Sequence, residues 1–188
     1  MKPRRSNSLE GPDGAANPLT GRFRRAADPE LTAPVEAEKI ETRYLSPGQV
    51  VAASVPTALC SVVGSGVMLC VWDSALKVGG AAHYILPGGS GSEPGNGRFA
   101  DTAFEDVMAR LLGLGCHEWN LRARIFGGAC IVEAFQGRDD HLGQRNVDAG
   151  RALLERAKVS LVELEIGGRR ARRVTFRTHD GAFTSHLL

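Results

Sequence analysis

From about residue 40 onward, apolar positions fall into short runs cut by Gly, Pro, Ser and Asp, the punctuation of strands and turns. The densest stretch covers residues 60–87, CSVVGSGVMLCVWDSALKVGGAAHYILP. It reads as apolar strands on either side of Gly64-Ser65-Gly66, followed by a strand that carries His83. Strands are expected near 57–63, 67–73 and 79–86, running as a meander with Asp73, Ser74 and Lys77 in the connecting turn. Ser46-Pro47-Gly48 marks a turn before a further strand in QVVAAS. In ADTAFEDVMARLLGLG, residues 100–115, Phe104, Val107, Met108, Leu111 and Leu112 recur at helical spacing. This predicts an amphipathic helix with Asp101 and Thr102 at its N-terminal cap and Gly113 or Gly115 at its stop. Residues 121–132 read as a strand interrupted by Gly127-Gly128, a pair that signals a bulge or a close backbone approach beside the His83 turn. A second helix over about 144–157 precedes closing strands near 159–166, 171–178 and 182–187, with Asp180-Gly181 as a hairpin signal. The fold class that follows is α+β: mostly antiparallel strands with two main helices packed on them in one domain.

Composition narrows the class further. With 43% hydrophobic and 23% charged residues, the chain of 188 has the make-up of a soluble globular protein. A formal charge of +2, with basic and acidic residues mixed throughout, argues against nucleic acid as a partner. No apolar run is long enough for membrane insertion. The N-terminus has a basic start without an apolar segment after it, so no secretory signal is read and a cytoplasmic location is expected. Residues 1–38 lack apolar periodicity and are expected to form a disordered leader, with 39–188 as the folded domain. Loop 88–97, GGSGSEPGNG, is expected to be mobile. Its solvated basic counterpart, Arg169 to Arg173, reads as a hairpin.

The four cysteines, Cys60, Cys70, Cys116 and Cys130, have no CxxC spacing and no metal-ligand pattern, so no metal site is expected and reduced thiols are. Gly64-Ser65-Gly66 enters a strand and lacks the Lys-Ser/Thr ending of a phosphate-binding loop. It also fails as a nucleophile elbow, because Val63 stands where a glycine is needed and no helix follows. His83 is the one titratable side chain in the centre of the apolar stretch. Gly79, Gly80, Ala81 and Ala82 leave room beside its imidazole, which is suited to take a proton from a thiol or water.

The segments VGSGVMLCVWD, KVGGAAHYILP, GRFADTAFEDVMARLLGLG, ARIFGGA, LGQRNVDA and GGRRARRVTFRTHDG, in this order, resemble the CheD family of chemoreceptor glutamine deamidases from about Tyr44 to the C-terminus. The resemblance implies an α/β sandwich like that of the deamidating bacterial toxins. It also implies hydrolysis of glutamine side-chain amides on methyl-accepting chemotaxis receptors, by a thiol and a histidine and without a cofactor. The implied partners are receptor cytoplasmic helices and, in some organisms, a CheC-like phosphatase. His83 falls on the family histidine, as general base and acid. The family's nucleophilic cysteine belongs at Gly66, in the active-site turn Gly64-Ser65-Gly66, and its threonine six residues earlier falls on Cys60.

Three readings of the missing thiol compete. Gly66 abolishes the deamidase and leaves a binding module for receptors or a CheC-like phosphatase. Alternatively, Cys60 is a substitute nucleophile, which demands that it reach the same carbonyl within about 1 Å of the productive position. In the third, Ser65 or a water activated by His83 performs slow hydrolysis.

Overall fold

Strand β4 (Val67–Asp73) is buried along its whole length, and its alternation decides the architecture. Val67, Leu69 and Val71 face a core shared with the helices, whereas Met68, Cys70 and Trp72 face a second core shared with another sheet. A strand covered on both faces must be apolar at every position, which is why VMLCVWD shows no polar alternation. The computed structural model describes residues 40–88 and 95–188. The leader over 1–38 and most of the loop at 88–97 lie outside the described residues.

The remaining strands are β1 (Glu41–Tyr44), β2 (Val50–Ala53), β3 (Thr57–Val63), β5 (Val78–Tyr84), β6 (Arg122–Gly127), β7 (Ser160–Ile166), β8 (Arg172–Arg177) and β9 (Phe183–Leu187). The helices are α1 (Ala100–Gly113) and α2 (Leu142–Arg156). They form a four-stranded sheet ordered β1-β3-β8-β9 and a five-stranded sheet ordered β2-β5-β4-β6-β7. Pairing is antiparallel except for β1 with β3 and β6 with β7, which run parallel. Leu59, Val63, Val174 and Phe176 of the smaller sheet pack on Met68, Trp72 and Phe126 of the larger. On the larger sheet's other face lie Phe104, Val107 and Leu111 of α1 and Val147, Leu153 and Leu154 of α2. The result is an α+β structure in three layers, sheet on sheet on helices.

The expected meander is not one. β4 and β5 form a hairpin, with Met68 opposite His83, but β3 pairs with β1 and β8 in the other sheet. Both strands are apolar, and periodicity cannot tell which apolar strand hydrogen-bonds to which. The Gly64-Ser65-Gly66 turn is therefore a crossover between sheets. Arg169 to Arg173 is not a hairpin either: residues 167–171 cross from β7 to β8 in the other sheet, and Arg172, the first residue of β8, is buried with its guanidinium on Glu165 at 2.9 Å. Helix α1 begins at Ala100 behind Phe99, so Asp101 and Thr102 lie inside its first turn and do not cap it. The Thr102 hydroxyl reaches back to the carbonyl of Asn96. α2 starts two residues earlier than the apolar pattern indicates, because the His141 ring accepts the Gln144 N–H as a side-chain cap. Among the described residues no helix is long and apolar enough to cross a membrane.

Strand β6 ends at Gly127, whose φ of +114° suits glycine alone. A Cβ there would stand 2.3 Å from the carbonyl oxygen of Gly66. Gly127→Ala is therefore expected to combine backbone strain with a clash, lowering stability by about 2 kcal/mol or more. A urea melt that places the variant's midpoint with the wild type would show that this close approach is not required.

Candidate active site

The crossover is held at each of its three carbonyls. Gly128 N–H donates to Gly66 O at 2.9 Å, and Ala129 N–H donates to Gly64 O at 2.8 Å. Ser65 O accepts from Nδ2 of Asn146 at 2.9 Å, and the same amide donates to Ile85 O at 3.0 Å. Asn146 is fully buried on α2, and the Tyr84 hydroxyl donates to its backbone carbonyl at 2.9 Å. One side chain thus ties the helix layer to the turn and to the end of β5 just after His83. The backbone N–H groups of Ser65 and Gly66 have no acceptor among the described residues.

His83 lies on the face of β5 turned towards the smaller sheet and is 2% exposed. Its Nδ1 is 3.0 Å from the hydroxyl oxygen of Ser61, and that hydroxyl donates to the carbonyl of Leu45 at 2.6 Å. A hydroxyl has one proton to give. Because Leu45 takes it, Ser61 accepts from Nδ1–H, and the network assigns the tautomer with Nε2 unprotonated. Burial holds the imidazole's pKa below its ordinary 6.5, partly opposed by the Leu45 carbonyl. The ring is thus a neutral base at neutral pH.

Nε2 points at residue 66. A Cβ built on Gly66 would be 3.1 Å from Nε2, 2.9 Å from Tyr84 O and 3.0 Å from Cγ2 of Ile85. Gly64, Ser65, Gly66 and His83 therefore share one site. Cys60 does not join them. Strand alternation gives Leu59, Ser61 and Val63 the buried face of β3, and half-buried Cys60 takes the other, in register with Tyr44 and Thr175. Ser65 lines a neighbouring cavity of about 140 Å³ with Ala129, Ile131 and Leu142.

Ser61, Leu45 and Asn146 join the site beyond the residues that sequence assigns to it; Asn146, expected to bond the loop before its own helix, instead bonds the turn and the end of β5. Ser61 carried a signal: a hydroxyl at a core-facing position of an apolar strand requires a partner. Asn146 carried none, because its partners lie 81 and 61 residues away in the chain.

A sandwich of two sheets with helices on one side, and a buried, oriented histidine at a crossover turn, defines an α+β protein with a histidine-centred candidate site. Comparison then supplies the family. The sequence model for CheD, described as CheD chemotactic sensory transduction, matches residues 85–186, starting two residues after His83. The probable chemoreceptor glutamine deamidase CheD 1 of Anaeromyxobacter dehalogenans is 35% identical over 139 residues, 74% of this chain and 80% of its own. A second such protein, from Burkholderia thailandensis, is 35% identical over 135 residues, 70% of this chain and 68% of its own. The chain belongs to the CheD family.

Two outcomes follow for the histidine. Between its depressed folded pKa and 6.5 the unfolded chain binds more protons, so stability falls as pH drops below about 6.5 and levels off under the folded value. Denaturant melts across this range are expected to show that slope in the wild type and a flatter one in His83→Gln. Ser61→Ala leaves Nδ1–H and the Leu45 carbonyl without their shared partner, a cost of about 1–3 kcal/mol. Nitrogen NMR of the imidazole is expected to show a pure Nδ1–H tautomer in the wild type and a mixture in Ser61→Ala.

Proposed function

We propose that this chain works in chemotaxis adaptation by binding glutamine-bearing cytoplasmic helices of chemoreceptors, without the covalent step of a thiol amidase. One observation supports this above the others: the unprotonated Nε2 of His83 faces residue 66, which has no side chain. In a thiol–histidine hydrolase a sulfur at that position gives its proton to Nε2 and attacks the amide carbon. The imidazolium then protonates the leaving ammonia, and water hydrolyses the thioester to the acid and the free thiol. Glycine offers no atom to make the carbon–sulfur bond, and loss of a nucleophile costs several orders of magnitude in rate.

Nearby thiols and hydroxyls are poor substitutes. Cys60 faces away from His83 across the thickness of its own strand, which sets it beyond the roughly 1 Å tolerance of a nucleophile. The Ser65 and Gly66 N–H groups still suit the carbonyl oxygen of a glutamine amide. Amide recognition is therefore retained in this reading, while turnover is not. The same surface suits a CheC-like phosphatase as a competing partner.

The test uses a purified receptor cytoplasmic fragment with the wild-type chain, Gly66→Cys, and Gly66→Cys combined with His83→Ala, with conversion of Gln to Glu mapped by peptide mass. The wild type is expected to bind the fragment and leave its glutamines intact. Gly66→Cys is expected to convert them, at a stability cost of about 1–2 kcal/mol for the crowding by Tyr84 O and Ile85, and the double variant to lose the gain. Conversion of the glutamines by the wild type would overturn the reading.

A further inference from the structure

The loop after β6 leaves an apolar surface beside the crossover turn. Ile131, Val132 and Phe135 are 50%, 57% and 47% exposed. Large apolar side chains grouped in the open mark an interaction surface. This one is tied to the turn. Ala129 N–H donates to Gly64 O at 2.8 Å, and Cδ1 of Ile131 fills the space that a Cβ on Gly64 would need. All three apolar residues line the cavity of about 140 Å³ that Ser65 and Leu142 also line. Apolar cavities of about 150 Å³ take up benzene, so there is room here for one aliphatic side chain.

A second cavity, of about 270 Å³, continues the first, because Phe135, His141 and Leu142 line both. The rest of its wall is Arg138, Asp140 and Arg145. Arg138 holds the two carboxylate oxygens of Asp140, each at 3.0 Å. Arg145 is exposed and takes part in no ion pair among the described residues. Glu133 and Asp139, in the same loop, line neither cavity. The wall also includes the first turn of α2, where the helix dipole favours negative charge. Ser65 lines only the first cavity and Arg145 only the second. The groove therefore runs from the turn, through an apolar middle, to an uncompensated positive charge.

We propose that this groove selects the helix that presents a glutamine to the turn. An aliphatic side chain one helical turn from the glutamine enters the apolar cavity, and a carboxylate one turn further meets Arg145. Residues four apart on a helix stand about 5–6 Å from one another on one face, which suits two cavities that share a wall. The identity of the helix rests on the receptor reading above. The requirement for an aliphatic and then an acidic residue on the glutamine's face is additional to it.

The test titrates the full chain with short lactam-stapled helices in an alanine–lysine host, followed by calorimetry. The parent peptide carries a glutamine, a leucine four residues away and a glutamate four beyond that, made in both chain directions. Replacing the leucine by alanine is expected to weaken binding at least about tenfold. Replacing the glutamate by lysine is expected to weaken it about fivefold at low salt, and less as salt is raised. Arg145→Glu, a change at an exposed side chain, is expected to reverse that charge preference. Phe135→Ala removes a wall common to both cavities and is expected to bring the leucine and alanine peptides within about threefold of each other. The proposal is overturned if neither direction of the parent binds below about 1 mM, if the alanine peptide binds as tightly as the parent, or if Arg145→Glu leaves the charge preference unchanged. Binding that needs the glutamine alone overturns the groove's role and leaves the receptor reading standing. Binding that needs the leucine and glutamate but not the glutamine supports the groove and sinks the receptor reading.

Discussion

The clamp on the crossover turn is the constraint on which the rest of this structure depends. A chain that leaves one sheet and enters another within three residues exposes its peptide groups where no ladder can satisfy them. Here the carbonyls of Gly64 and Gly66 are taken by the backbone beyond Gly127, and that of Ser65 by Asn146. Each partner belongs to a different part of the fold. The end of β6 comes within backbone contact because Gly127 has no side chain, and α2 is brought close by the packing of Val147 and Leu154 on the larger sheet. Turn, strand end and helix therefore form as one unit.

That unit sets the histidine's role. His83 is placed by the β4–β5 hairpin, but its orientation comes from Ser61 and Leu45, which belong to the other sheet and to the segment after β1. The hydroxyl relays the Leu45 carbonyl's demand for a proton into a choice of tautomer, leaving the far nitrogen as a base directed at residue 66. The imidazole is thus buried and oriented towards a residue without a side chain, and contacts between the two sheets hold it there.

Much of this was legible in the chain. β3, β4 and β5, both helices and the closing strands lie within a few residues of where apolar periodicity placed them, since burial of one or two faces leaves a period that local composition records. Two features misled. The partners of β3 were misjudged because an apolar strand carries no label for its neighbour. The start of α1 differs because Phe99 precedes it without any side-chain cap, while of the two residues that look like caps Thr102 reaches back to the loop before the helix and Asp101 accepts the Thr102 N–H within the first turn.

By itself, then, the sequence determined the element types and the family, both properties of residues near one another along the chain. Tertiary structure alone decided that the turn joins two sheets, that Ser61 and not Cys60 meets His83, and that Asn146 holds the turn from α2. The physical reason is the same in each case. Strand alternation and layer packing bring together residues tens of positions apart, and no local pattern encodes which buried polar group will find which partner.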